Sequence, residues 1–421
     1  MIPALRSEFN KRFDPASYRR LLAVLDARSG THVSFRVAET PCFFTAGLLN
    51  NLASIGQELT STLLQDPAYL SASDAAVPAA YYAAGESSHP NFMTADFGLI
   101  RQADGTLSPR LVELQAFPSV FAYQLALSEA YRTCYNLDPT LNSFLGGHTE
   151  ETFWKLLSRV ILGKHPPENV VLTEIKPHLQ KTLPDFNLTA EKLGIRVMDI
   201  RDLVPVKQAG GLPKFHYAAG NRLVPIHRIY NRAIVDELIR DRIQLPFDYR
   251  QEFAVEWAGH PNWYFRISKF SIPYLHHPAV PRAIFLDDWF AGDARDLLPA
   301  DREMLILKPL FSFAGQGIKF APSDADLDSI PIEHRREYLL QERVRFEPVI
   351  DTPFGLTQAE IRILYAWPED GEMEPVISLI RLGRGMMMGV DHNRDQQWVG
   401  GSASFSPGER KAHGGTVTNK N

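Results

Sequence analysis

Hydrophobic positions along the chain change their period several times, and each change predicts a different kind of element. Asp14 can cap a helix with Pro15 in its first turn, and the apolar spacing of YRRLLAVLDA carries that helix to Gly30. A second run at helical spacing extends from about Thr45 to Leu64. Between about residues 92 and 116 the period shortens. FMTADFGLIRQ and PRLVELQAF read as two strands joined by a turn around Asp104 and Gly105.

A new unit begins near residue 166, after the polar stretch GKHPPEN. VVLTEI is a buried-type strand, a helix follows and ends near Gly194, IRVMDI is the next strand, and VPIHRIYNR closes the unit. Strand–helix–strand alternation predicts a small parallel sheet whose ligands lie beyond the C-terminal ends of its strands. From about 246 onward MLILKPL, GIKFAP, EYLLQERVRF, AEIRILYAW and PVISLIRL are five strand-like segments, expected to form one antiparallel sheet. The predicted division is 1–165, 166–245 and 246–421.

Composition narrows the partners. The net charge is −5, from 44 basic and 49 acidic side chains, and no Lys/Arg-rich run occurs, which argues against nucleic acid. No apolar run approaches the length of a bilayer span. Two cysteines, Cys42 and Cys134, show no metal-type spacing and fit a reducing compartment. Together with a start lacking an apolar signal core, this predicts a cytoplasmic chain without a membrane partner. Oligomeric state is left open, a homodimer included.

Three segments carry chemistry. In MLILKPLFSFAGQGIKF an apolar strand ends at Lys308, a loop holds Ser312, Gly315, Gln316 and Gly317, and a second strand follows. Glycines let backbone N–H groups approach a phosphate while a strand-anchored lysine supplies a fixed cation. The order differs from a Walker loop, where the lysine follows the glycines and a helix follows the lysine; a plain glycine-rich hairpin with a surface lysine is the alternative. In EYLLQERVRF the alternation breaks at Gln341 and Glu342, ahead of Val344. Backbone groups there could pair with a base edge and a carboxylate could hold a ribose, unless the segment is simply a half-exposed strand. In the upstream hairpin, Glu113 and Gln115 lie two residues apart on one strand face and Asp96 lies on the neighbouring strand. Two carboxylates and an amide oxygen are hard ligands suited to Mg²⁺.

These segments resemble the ATP-grasp superfamily. ADFGLIRQADGTLSPRLVELQAFPS resembles the metal-binding hairpin of D-alanine–D-alanine ligases, with Glu113 17 positions after Asp96. Here the hairpin precedes the lysine loop, an order similar to the circularly permuted members, eukaryotic-type glutathione synthetase and the glutathionylspermidine synthase group. DHNRDQQWVGGSASF resembles their glycine-rich lid. The resemblance spans about 92 to 405 through scattered motifs. Gln115 departs from the family's usual Asn, and the lysine loop has no acidic residue.

The resemblance implies an α+β fold with an α/β subdomain, a circularly permuted ATP-grasp whose antiparallel sheets grip ATP beside a small parallel-sheet domain. It implies ATP and Mg²⁺ as cofactors and a carboxylate–amine ligase that makes an acyl phosphate and then an amide. The substrates would be a small carboxylate and an amine of amino acid, peptide or polyamine type. Asp96, Glu113 and Gln115 would hold the metal. Lys308, a second lysine at Lys269, Ser312, Gly315, Gln316, Gly317, Gln341, Glu342 and Val344 would hold the nucleotide. Arg362 or Arg381 would steady the acyl group, with structural pairing to Glu360 or Glu342 as the alternative for Arg362, and Arg232 would read a substrate carboxylate. A phosphotransferase and a non-catalytic nucleotide-binding module are the competing functions.

Overall fold

The computed structural model describes residues 1–292, 294–311, 316–389, 393 and 395–408. Its frame is a large, mainly antiparallel sheet in the order Cys42–Phe43, Gly400–Pro407, Glu374–Gly383, Gln358–Ala366, Phe92–Arg101, Leu107–Gln115, with Leu141–Asn142 paired to the second of these. The hairpin at its edge turns at Gln102–Thr106 as expected, where Gly105 has φ +84°. One face, carrying Ala95, Phe97, Ile361, Ile363, Ile380 and Leu382, is apolar and packs on the helix Ala46–Gln65 through Leu49, Leu52 and Leu59. That helix lies so close to the sheet that a Cβ on Gly56 would fall 2.1 Å from the Tyr365 hydroxyl.

The helix capped by Asp14 runs Pro15–Ser29; the Asp14 carboxylate accepts from Ala16 N and Ser17 N, and Gly30 ends it in the left-handed region. The middle of the chain forms the predicted parallel sheet from Val170–Glu174, Arg196–Asp199 and Arg228–Asn231, with the helix Leu183–Leu193 ending at left-handed Gly194. Its fourth strand is Glu256–Ala258, and a three-stranded meander, Val204–Gln208, Gly211–Ala219 and Arg222–Pro225, sits beside it.

The five C-terminal strands do not share one sheet. Leu305–Pro309, Lys319–Phe320 and Tyr338–Glu342 join Ala283–Phe285 in a small antiparallel sheet, whereas Gln358–Ala366 and Glu374–Gly383 pair with the hairpin in the large one. The reason is side-chain patterning on both faces. Ile361, Ile363 and Ile380 complete the apolar face over the helix Ala46–Gln65, a demand the small sheet cannot meet. The small sheet buries Leu305, Leu307 and Leu340 against Leu286, Leu298, Leu327 and Ile330 on its outer face. Its inner face, with Ile306, Lys308, Leu339 and Gln341, turns toward the large sheet. Among the described residues no helix is long and apolar enough to cross a membrane.

Candidate functional site at the seam of two sheets

Charged residues gather where the small sheet meets the hairpin. Register sets Asp96 opposite both Glu113 and Arg362, and Glu360 opposite both Gly98 and Arg381. Residues paired across antiparallel strands share a face, so Asp96, Glu113, Glu360, Arg362 and Arg381 all project from the face opposite the apolar one. The adjacency of Asp96 and Glu113 depends on a bulge. Phe97 pairs with Leu111, which leaves Val112 as the extra residue of its strand. Its carbonyl is thereby free to accept from Lys308 Nζ at 3.4 Å.

Lys308 reaches this carbonyl from the end of its strand and is buried. Burial pushes its ammonium down to about 8; Glu113 opposes the shift and Lys269 adds to it. Lys269 comes from a different element, the short turn Lys269–Tyr274, which Ser268 caps by accepting from Phe270 N. Its Nζ lies 3.1 Å from Glu113 Oε1 and 3.5 Å from the Leu310 carbonyl. Lys269 thus pairs with Glu113, while Lys308, on the carbonyl of the adjacent Val112, feels the charge of both.

The expectation of a metal triad on Asp96, Glu113 and Gln115 meets a different arrangement. Arg362 grips Asp96 bidentately, Nε to Oδ1 and Nη2 to Oδ2, both at 2.6 Å, and Arg381 Nη1 reaches Oδ2 at 3.1 Å. Burial works to raise the Asp96 carboxyl, but the two guanidiniums outweigh it and hold the group below the usual carboxylate range. Arg381 also bonds Glu360, whose carboxyl burial pushes up against the pull of that arginine. Arg362 thus pairs with Asp96, neither with Glu360 nor with Glu342. Glu113 is taken by Lys269, and Gln115 sits two residues on, opposite Thr94. Among the described residues no three His, Cys, Asp or Glu side chains form a group that could hold a metal. As arranged, with Asp96 held by two arginines and Glu113 by Lys269, the triad does not fit Mg²⁺.

The fit to a nucleotide is better. Gln341 is 1% exposed, on the same face as Lys308, and neither its Nε2 nor its Oε1 has a hydrogen-bond partner. A buried amide left unpaired costs about 1–3 kcal/mol, which a bound donor–acceptor edge would recover. Glu342 ends the strand and lies 3.5 Å from Arg282 Nε. Val344 is half-buried in the segment that follows. Gln316 and Gly317 are exposed; Gly317 has φ +73°, and a Cβ there would lie 2.8 Å from Pro309. Ser312 and Gly315, with Asp391 and His392 of the lid segment, lie outside the described residues.

Arg232 stands apart from these groups. Its Nη1 bonds the Ser119 carbonyl at 2.7 Å and Asp185 Oδ2 at 3.0 Å, and its guanidinium is flanked by Phe186 and Phe117. Fully buried on internal partners, it ties the middle sheet to the loop after the hairpin. Sequence reasoning did not give Glu360 a place in the site. The signal was there, since Glu360 and Arg362 are two residues apart on one strand and must share a face.

No family model matches the chain, and no curated protein matches it. Among solved structures it is similar to a glutathione synthetase-like effector, GSS30, from Globodera pallida, in its apo form. The TM-score is 0.57, the match covers 94% of this chain and 97% of that one, and 11% of residues are identical. Likeness at that identity is a likeness of fold: the chain has a glutathione synthetase-like fold.

Proposed function

We propose that the chain is an ATP-dependent carboxylate–amine ligase built on a circularly permuted ATP-grasp. The observation that carries this reading is that Lys269 and Lys308, from two elements, reach the adjacent residues Glu113 and Val112, with the unpaired amide of Gln341 on the same sheet face as Lys308. ATP would supply a phosphoryl group to a substrate carboxylate oxygen with release of ADP. The amine nitrogen would then attack the carbonyl carbon, and phosphate and a proton would leave.

In this reading the chain's own groups work by charge and position. Lys308 and Lys269 offset negative charge on the phosphoryl oxygens. Arg381, 24% exposed and held by Asp96 and Glu360, and Arg362 beside it are preorganised to face the oxyanion of the activated carboxylate. A ligand must part the two sheets to enter, because Lys308 and Gln341 are buried against the hairpin. The test is ADP release with paired acids and amines from amino acid, peptide and polyamine sets, with mass spectrometry of the product. ADP formation that needs both partners supports the ligase; phosphate transfer to a hydroxyl or histidine would make it a phosphotransferase.

One observation favours a second reading. With Asp96 committed to two arginines, and no group of three His, Cys, Asp or Glu side chains among the described residues that could hold a metal, the seam also suits binding without turnover. A nucleotide that binds and is never hydrolysed, whatever acid and amine are offered, would establish that alternative.

A further inference from the structure

A cavity of about 500 Å³ opens at the rim of the seam and shares only Glu342 with the nucleotide residues discussed above. Arg110, His276, His277, Arg282 and Glu342 line it. Arg110 projects from the hairpin strand of the large sheet, and one of its Nη1–H groups is fixed by the Pro278 carbonyl. Glu342 ends a strand of the small sheet and Arg282 immediately precedes its strand Ala283–Phe285, the two fastened together by Glu342 N donating to the Arg282 carbonyl at 2.8 Å. The segment between, which carries both histidines, is anchored to the hairpin by Leu111 N donating to the Ala279 carbonyl at 2.7 Å. His277 Nδ1 accepts from Ala279 N at 3.0 Å, which leaves Nε2 as the ring's free donor position; the nearest acid to it is Glu58, at 3.9 Å.

We propose that this cavity is a binding site for a compact multivalent oxyanion, a phosphoanion or a small polycarboxylate, clamped between Arg110 and Arg282. Two guanidiniums face one carboxylate, Glu342, which lies 3.5 Å from Arg282 Nε, so one positive charge of the lining remains in excess even with both histidines neutral. Guanidinium forks match the paired oxygens of phosphate and carboxylate groups, and the histidines add further donors. Because Arg110 lies on the large sheet and Arg282 is bonded to the small one, a bound anion ties the sheets together across the seam. The site stands whatever the lysines hold.

The experiment is calorimetry on the full chain at low ionic strength with inorganic pyrophosphate and, separately, citrate, which tells the phosphoanion from the polycarboxylate. Binding should weaken about tenfold or more in Arg110→Gln with Arg282→Gln, the loss expected for charged hydrogen bonds, and persist in Lys308→Ala. Loss in Lys308→Ala would place the anion in the seam and overturn the proposal, as would unchanged affinity in the double variant or no binding of either anion. Glu342→Gln removes the carboxylate of the lining and should tighten binding severalfold; a weaker complex would also overturn the proposal. This second variant keeps the test decisive if the double variant fails to fold.

Discussion

Lys308 and Asp96 show how burial makes two charged residues of the same seam behave differently. Lys308 has a backbone carbonyl and a shared carboxylate for company, too little to offset desolvation, so its proton leaves near pH 8. Charge on Lys308 is complete well below that value and disappears as pH rises through it. Nucleotide affinity should therefore fall by up to about tenfold per pH unit above 8, one unit being about 1.4 kcal/mol. Titrations at pH 7, 8 and 9 check this, and Lys308→Ala should abolish binding while the fold persists. Asp96 is the opposite case, a buried carboxylate with two guanidiniums. Asp96→Ala should cost about 3–5 kcal/mol of stability because it strands Arg362 and Arg381, whereas Glu8→Gln, in the exposed pair with Arg12, should change stability by under about 1 kcal/mol. Urea unfolding separates the two. A similar loss for both would contradict the assignment of Asp96 as the anchor of the arginines.

At the scale of elements, the parallel strands of the middle unit were legible because local signals agreed. Short apolar runs, Gly194 in the left-handed region and the alternation of strand and helix all lie within a few residues of the structure they specify. The hairpin's turn at Asp104 and Gly105 was legible for the same reason, but its register at Asp96 and Glu113, which a bulge sets, was not. What stayed hidden depends on partners far along the chain. Alternation in AEIRILYAW marks a strand but not its sheet, and nothing local to Asp96 announces an arginine 266 residues away. The bulge at Val112 that opens a carbonyl to Lys308 is equally silent in the sequence.

Glu174, at the end of its parallel strand, yields a prediction of its own. Burial pushes its carboxyl up to about 8, against the Ile175 N–H it accepts and the charge of Arg232. The folded chain thus holds this proton more tightly than the unfolded chain. Its contribution is fully present below the ordinary glutamate range and is lost as pH rises toward 8. Glu174→Gln keeps an acceptor for Ile175 and should raise stability by about 2–4 kcal/mol at pH 8, with little effect at pH 4. Denaturant midpoints at the two pH values decide it.

For the molecule as a whole, the question is how the middle sheet is held to the hairpin that carries half the seam. Arg232 leaves its strand, crosses to the Ser119 carbonyl just past the hairpin, and pairs with Asp185. Asp185 in turn accepts from Tyr123 N at the start of the helix Phe121–Cys134. One guanidinium thus joins three elements, inside a shell of Phe117 and Phe186 that excludes water. A buried pair of this kind contributes little over an apolar replacement, but removing one partner leaves a buried charge uncompensated. Arg232→Ala should therefore lower stability by about 3–5 kcal/mol, while Arg232→Met with Asp185→Asn, which keeps an acceptor for Tyr123 N, should recover much of that loss. ATP affinity of the folded single variant should match that of the parent chain. A variant of unchanged stability whose requirement for the carboxylate substrate rises instead would return Arg232 to the substrate-reading role that its place at a strand end suggested.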